Sequence, residues 1–246
     1  MSTRSRVVAA IVAPAVVAVG AFTVDSISTS RVESDLSTRI RPAVEGSPAP
    51  SVLIHGGPTT RWAAPGTLSS VSIRAEDVDR PGLGPVAVEA EVTDLHVPES
   101  GDEDLTARSV TVSVRMTGDS LGPALGMRDV LIGAADDPSL AGGTEHRARV
   151  TGTLRGTDTR VSAFVDLVVD ERGAHLVPTA PATGPGGIPD QDGELAMRRT
   201  ALTLAPDVLP LGLTVESLTV RGGTLTASGT GGPGTAPLGT LVRPDH

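Results

Sequence analysis

Residues 118–122 carry the most specific chemical pattern in the chain. They read Gly-Asp-Ser-Leu-Gly, which satisfies the G-x-S-x-G pattern of a nucleophile elbow, where a serine lies between a strand and a helix of a parallel α/β sheet. Ser120 would then be the nucleophile of a secreted serine hydrolase. However, residues 123–127 leave room for only about one or two helical turns, and the chain has no Asn to stabilise an oxyanion. The structural alternative is that Asp119 or Ser120 caps a short helix between two strands.

A second pattern has the spacing of a dinucleotide-binding loop. Gly229, Gly231 and Gly234 fit G-x-G-x-x-G, a fingerprint that works by placing a pyrophosphate at the start of a helix. Here Pro233 and Pro237 break any helix that would follow. We therefore interpret this segment as a tail and not as a phosphate site.

Acidic residues and histidines give no complete metal site. Asp190, Asp192 and Glu194 have the spacing of a calcium loop, but the twelfth position, which needs a bidentate Glu, is Ala201. The five histidines show none of the spacings typical of metal ligands. We expect surface loops here, with no metal and no cofactor.

The composition excludes several kinds of chemistry. The chain has 246 residues and no Cys, which excludes disulfides, thiol nucleophiles and Cys-ligated metals. All 20 basic residues are Arg, so a Walker A lysine and a Schiff-base lysine are excluded as well. Aromatic residues make up 1% and include no Tyr, so the core must consist mainly of Val, Leu and Ala.

The charge balance argues against nucleic acid as a partner. The formal net charge is −9, and residues 1–24 contain Arg4 and Arg6 but no acid, so the acidic excess lies entirely in residues 25–246. Proteins that neutralise phosphates are normally basic. The same sign disfavours electrostatic adhesion to an anionic membrane, so any lipid contact should be apolar.

Residues 1–24 are predicted to be a signal peptide or a membrane anchor. Arg4 and Arg6 precede an uncharged apolar run over residues 7–24. Its length of about 18 residues lies between that of a signal-peptide core and that of a spanning helix, so cleavage and retention both stay open. Either outcome places the rest of the chain outside the cytoplasm, in the cell envelope, anchored to or released from the plasma membrane.

The remaining chain reads as one helix followed by strands. Four apolar residues recur every four positions in residues 25–44: Val32, Leu36, Ile40 and Val44. This spacing predicts an amphipathic helix that ends or kinks at Pro42, followed by a linker at 46–50. Beyond it, apolar and polar residues alternate in several segments: 71–75, 86–92, 110–116, 150–154, 161–169, 198–204, 213–220 and 224–227.

Alternation with period two predicts antiparallel strands with one buried and one wet face. No helix of useful length separates these segments, which disfavours a parallel sheet. Gly-, Pro- and acid-rich loops are predicted at 98–104, 133–145 and 178–194. The sequence thus predicts an α+β domain over 25–231, dominated by about eight strands, and a flexible tail over 232–246.

The order of these segments resembles the LmeA family of actinobacterial cell-envelope phospholipid-binding proteins. An N-terminal anchor and an Arg-bearing helix precede residues 50–56 (PSVLIHG), where the family has its first strand. Residues 71–98 match its strand, turn and long strand. Residues 202–231 match its closing segment, which has an LPLG-like turn, a strand, a Gly-Gly turn and a last strand that ends in an SGTG-like run. The family commonly has an aromatic-rich segment after the first strand, whereas residues 57–62 keep only Trp62.

The resemblance implies an elongated, curved antiparallel sheet wrapped along the long N-terminal helix, similar to tubular lipid-binding folds. It also implies binding of a phospholipid, with inositol phospholipids as one candidate, in support of envelope lipid or lipoglycan maturation. No catalytic residue is implied. A non-catalytic structural or interaction module of the envelope is a further alternative.

A lipid groove exists only if helix and sheet do not close fully on each other; otherwise the same residues form a plain core. Trp62 suits either the core or groove rim or a membrane-interface anchor. We predict that a groove is lined by ten apolar residues: Val32, Leu36, Ile40, Trp62, Val71, Ile73, Val88, Val112, Val165 and Leu213. Arg61 and Arg74 are the candidate headgroup contacts at the rim.

Overall fold

Antiparallel β-structure dominates the protein, as the alternating segments predict. The computed structural model describes residues 33–34, 36–38, 50–56, 62–64, 66–98, 105–135, 146–183, 187–235, 238 and 241. The strands in chain order are β1 (Ser51–Ile54), β2 (Trp62–Ala64), β3 (Thr67–Val78), β4 (Val86–His96), β5 (Thr106–Ala107), β6 (Ser109–Met116), β7 (Met127–Ala134), β8 (Arg147–Leu154), β9 (Arg160–Asp170), β10 (Gly173–Pro181), β11 (Leu202–Thr203), β12 (Ser217–Arg221), β13 (Thr224–Gly231) and β14 (Gly234–Thr235).

The strands form two sheets, and not the single sheet that the sequence predicts. The larger sheet has the order β1-β3-β4-β6-β13-β12, with β2 paired to β3 and β5 paired to β4 and β14. The smaller sheet has the order β11-β10-β9-β8-β7. Every pairing between described strands is antiparallel, and the whole is a curled half-barrel. A helix connects β6, a strand of the larger sheet, to β7, the first strand in the chain that belongs to the smaller sheet.

That connecting helix, α1 (Gly118–Leu125), has clear start and stop signals. Thr117 is its N-cap, with extended backbone angles. Gly126 ends it with a φ of 64°, a left-handed conformation that glycine adopts without a Cβ clash. α1 packs mainly on β7 of the smaller sheet and also contacts β6 of the larger sheet.

A second helix, α2 (Gly193–Thr200), corrects the prediction of a strand over 198–204. The Asp192 side chain accepts a hydrogen bond of 3.0 Å from the Leu195 backbone N–H and so caps the helix. Ala196 and Thr200, four residues apart, are both buried. Only Leu202–Thr203 remains as a strand, and the carboxylate that suggested a calcium loop serves as a helix cap.

Most of the predicted N-terminal segments lie outside the described residues. This applies to the apolar run over 7–24 and to most of the predicted helix over 25–44, of which residues 33–34 and 36–38 are described as helical. Within the described part of the chain, no helix combines the length and the hydrophobicity that crossing a membrane requires.

Candidate functional site

The inner face of the larger sheet is a continuous aliphatic surface. Residues that face each other across antiparallel strands share one face of the sheet, and three such rows cross it. The rows are Val52–Ile73–Ala90–Val112–Gly229, Ile54–Val71–Val92–Val110–Gly231 and Ala75–Val88–Val114–Ala227–Leu218. All these residues, hereafter the inner face, are aliphatic or glycine. The face can therefore contact apolar groups across at least four adjacent strands.

Four predicted lining residues lie together on this face. Val71 and Val112 are 0% exposed, and Ile73 and Val88 are each 2% exposed. Alternate residues of a strand point to the same face, and all four residues occupy inward-facing positions of their strands. The alternation in the sequence therefore correctly predicts that they share a face. Their burial also means that an acyl chain can reach them only where a covering part of the chain moves away.

The helical residues 33–34 and 36–38 lie against the edge strand β1. Glu33 Oε1 accepts a hydrogen bond of 3.0 Å from the Ile54 N–H, and Ser37 Oγ donates one of 2.8 Å to the Pro50 carbonyl. Leu36, between them, is buried in the same apolar cluster as the inner face. The helix thus contacts the larger sheet at the β1 edge, and the lining role of Leu36 stays a prediction.

Val32 and Ile40, the neighbours of Leu36 on the predicted helical stripe, lie outside the described residues, as does Arg61. Trp62 belongs to β2, where its backbone pairs with Leu68 of β3.

The loop before β12 covers the other end of the inner face. Gly229 and Gly231 of β13 lie beneath it: a Cβ atom on Gly229 would fall 2.1 Å from the Thr214 carbonyl oxygen, and one on Gly231 would fall 3.0 Å from Leu213 Cδ2. Because these glycines have no side chain, the loop can approach the sheet. Leu213 is therefore brought next to the row that contains Val110, and its lining role stays a prediction.

Two predicted residues are not brought to the inner face. Val165 is fully buried, but it lies on β9 of the smaller sheet. Arg74 lies on the outer face of β3, with its side chain 51% exposed and its Nη2 2.8 Å from Glu89 Oε1. The hydrogen bond to Glu89 raises the pKa of the guanidinium. Since alternate residues of a strand point to opposite faces, Arg74 is separated from the inner face by the sheet itself.

Ser120 has a structural role in the start of α1. Its Oγ accepts a hydrogen bond of 3.1 Å from the Thr117 N–H and donates one of 2.5 Å to the Pro85 carbonyl. Ser120 is 1% exposed, and among the described residues no histidine is hydrogen-bonded to it. The helix-capping interpretation is therefore correct in kind, with Thr117 as the N-cap and Ser120 completing the cap from the third helical position.

The outer face of the larger sheet carries a polar cluster that sequence reasoning missed. His55 Nε2 contacts Ser72 Oγ, and Ser72 Oγ donates a hydrogen bond to Glu91 Oε1. They line a cavity of about 280 Å³. Ser72 Oγ thus lies between the His55 imidazole and the Glu91 carboxylate. Within the described ranges, no group of three or more His, Asp or Glu side chains is arranged to hold a metal.

A buried arginine at the end of the inner face was also missed. Arg80 lies in the turn between β3 and β4, is 3% exposed, and donates a hydrogen bond of 2.8 Å from Nη2 to the Leu241 carbonyl. Leu238 and Leu241 are each 1% exposed, so the tail predicted as flexible over 232–246 is packed into the core at these two positions. No signal in the sequence distinguishes Arg80 from the exposed arginines.

Comparison with known proteins identifies one matching family. Searches of curated proteins and of solved structures returned no significant match. The family described as LmeA-like phospholipid-binding matches residues 23–230, which include the strands of the inner face and the loop that covers β13. Because this match spans most of the sequence, the chain belongs to the LmeA-like phospholipid-binding family.

Proposed function

We propose that the protein binds a phospholipid by holding its acyl chains against the inner face of the larger sheet. The observation that carries the proposal is the uninterrupted aliphatic surface across β1, β3, β4, β6 and β13 in a member of a phospholipid-binding family. A surface without hydrogen-bonding side chains suits hydrocarbon and offers nothing to a polar ligand.

Acyl burial is expected to dominate the affinity. Each methylene removed from water contributes about 0.8 kcal/mol, so ten methylenes contribute about 8 kcal/mol. One neutral hydrogen bond to a headgroup contributes about 0.5–1.5 kcal/mol. Selectivity between headgroups would then depend on a few polar groups near the end of the face, with inositol phospholipids among the candidates.

The cellular setting is part of the same proposal. Arg4, Arg6 and the apolar run over 7–24 support export and attachment to the plasma membrane. An acidic, exported lipid binder would support the maturation of envelope lipids or lipoglycans without a catalytic step of its own. A comparison of the full chain with residues 25–246 in membrane and aqueous fractions tests the attachment.

The binding proposal is tested by native mass spectrometry of the full chain purified without added lipid. The expected result is a population carrying phospholipid, identified after extraction. A chain that stays free of lipid, even after incubation with phospholipid vesicles, would contradict the proposal.

A matched pair of variants locates the site. Ala90 is 0% exposed on the inner face, whereas Ala87 lies on the opposite face of the same strand and pairs with Arg115. Ala90→Leu narrows the space for an acyl chain and should lower the bound fraction, while Ala87→Leu should leave it unchanged. Thermal unfolding of both variants separates lost binding from lost folding, because overpacking a core costs about 1–3 kcal/mol.

A further inference from the structure

The chain carries two buried leucines beyond the part that matches the family. The match ends at residue 230, yet Leu238 and Leu241 are each 1% exposed and belong to the same apolar cluster as the inner face. We call them the C-terminal leucine pair. Side chains that fill an apolar cluster take space that an acyl chain would need.

The side chain of Arg80 contacts one member of this pair, Leu241. The Arg80 guanidinium is buried and donates a hydrogen bond of 2.8 Å to the Leu241 carbonyl, across 161 positions of sequence. Arg80 lies two residues after Val78, which pairs with Val86 where the larger sheet ends in the β3–β4 turn. The aliphatic surface and a buried guanidinium are therefore adjacent.

This combination has the chemistry of a phospholipid contact. The leucine side chains are hydrocarbon, as acyl chains are, and the Leu241 carbonyl oxygen accepts from a guanidinium, as a phosphate oxygen does. We propose that the C-terminal leucine pair occupies part of the phospholipid site and that a bound phospholipid replaces it. Acyl carbons take the place of the leucine side chains, and a phosphate oxygen takes the place of the Leu241 carbonyl on Arg80.

The exchange is favourable in both of its parts. An acyl chain carries more methylene groups than two leucine side chains, so its entry buries additional apolar surface. A phosphate is an anion that can accept two parallel hydrogen bonds from a guanidinium, whereas the Leu241 carbonyl is a neutral acceptor, so the phosphate is the stronger partner for Arg80. The inference rests on the proposed function, because without lipid binding the leucine pair is simply part of the core.

The absence of cysteine makes the exchange directly measurable. Leu238→Cys places the only thiol of the full chain at a buried position. Its reaction with a maleimide is followed by mass spectrometry, with and without phosphatidylglycerol vesicles. We expect labelling to become at least about tenfold faster with lipid, since exposure of the thiol then follows the population of the displaced state.

Two control variants define the range of the measurement. Gly232→Cys lies at an exposed position with open space around the added Cβ, and should react quickly in both conditions. Leu225→Cys is 0% exposed on β13 and should stay protected in both. Loss of protection at Leu225→Cys together with Leu238→Cys would indicate general unfolding and would contradict a local displacement.

The phosphate part is tested by changing the ligand and Arg80 separately. In Leu238→Cys, phosphatidylglycerol should promote labelling at a lower concentration than diacylglycerol does. When Arg80→Gln is added to Leu238→Cys, the two lipids should promote labelling at similar concentrations. Arg80→Lys keeps the positive charge but loses the planar guanidinium, so it should show an intermediate preference for phosphatidylglycerol over diacylglycerol. It replaces Arg80→Gln in this test if that variant does not fold. Inorganic phosphate alone should leave the thiol protected; labelling promoted by it would contradict the acyl part.

Failure of this inference is distinguishable from failure of the proposed function. If native mass spectrometry shows bound phospholipid while the thiol of Leu238→Cys stays protected, the displacement is wrong and the lipid-binding function stands. If neither bound lipid nor faster labelling is observed, both are wrong.

Discussion

Gly229 lies directly beneath Thr214, so close that a Cβ atom on the glycine would fall 2.1 Å from the Thr214 carbonyl oxygen and 2.9 Å from Leu209 Cδ1. Gly229 pairs with Val112 across β13 and β6, which places this contact at the end of a row of the inner face. The SGTG-like run thus has a structural reason: a glycine is needed where the LPLG-like loop closes over the sheet.

This contact predicts a specific stability change. Gly229→Ala should lower the free energy of unfolding by about 1–3 kcal/mol, because the backbone of Thr214 must shift to admit the methyl group. Urea unfolding followed by circular dichroism measures the change. Gly232→Ala is the control, since a Cβ there meets nothing within 4 Å, and it should be neutral or slightly stabilising. Equal destabilisation by both variants would contradict the packing explanation.

Ser120→Ala should lower the stability of the fold without removing any ester hydrolysis. Ser120 connects the Thr117 N–H to the Pro85 carbonyl, so its removal should cost about 1–2 kcal/mol of unfolding free energy. Phospholipid binding should be unchanged at equal folded concentration. The matched variant is Ser113→Ala on the outer face of β6, which should change stability less. Ester hydrolysis present in the native protein and absent in Ser120→Ala would support the hydrolase alternative instead.

Arg74→Gln should leave phospholipid binding unchanged, because Arg74 lies on the outer face and pairs with Glu89 at 2.8 Å. The pair is half exposed on the Arg74 side, so its loss should cost only about 0–1 kcal/mol. A double-mutant cycle with Glu89→Gln, measured at low and high salt, gives the coupling between them. Weaker binding of phospholipid by Arg74→Gln would show that the outer face takes part in the site.

Asp170 predicts a small pH effect on the β9–β10 turn. A hydrogen bond from the Arg172 backbone N–H to Oδ1, at 2.7 Å, lowers the pKa of Asp170, and His175 Nε2, 3.3 Å from the same oxygen, contributes to the shift. A carboxyl whose folded pKa lies below its unfolded value stabilises the fold above the unfolded pKa. This stabilisation should be lost as pH falls below about 4, through the lower folded pKa.

Carboxyl-carbon NMR titration of Asp170 measures the folded pKa directly. Asp170→Asn should remove this part of the pH dependence of unfolding while leaving the neutral-pH fold intact. A folded pKa at or above the ordinary aspartate value would contradict the assignment.

The strands and their faces were largely predictable from local sequence. Alternation over residues 71–75, 86–92 and 110–116 correctly predicts which side chains turn inward, and the absence of long helices between strands correctly predicts antiparallel pairing. Helix α2 was missed because its cap, Asp192, lies in a Gly- and acid-rich segment that has the composition of a loop. Strand β7 was missed because its alternation is broken between Arg128 and Leu131, where the register shifts.

The candidate site was predictable only in part. Val71, Ile73, Val88 and Val112 share a parity along their strands, so their common face follows from the sequence. Arg74 is a predicted headgroup contact at the rim, but it follows Ile73 directly, so the same alternation places it on the opposite face. Arg80 was not identified, because a turn arginine beside a proline is usually solvated.

The sequence by itself determined the aliphatic character of the inner face, because a period of two is a local property of each strand. Only the tertiary structure decided which parts of the chain lie against that face. These are the loop over Gly229 and the helix that carries Leu36, and at the end of the face the Leu241 carbonyl is hydrogen-bonded to the buried guanidinium of Arg80. These contacts join residues far apart in the chain, up to 161 positions for Arg80 and Leu241, and burial of this kind depends on which surfaces the folded chain brings together.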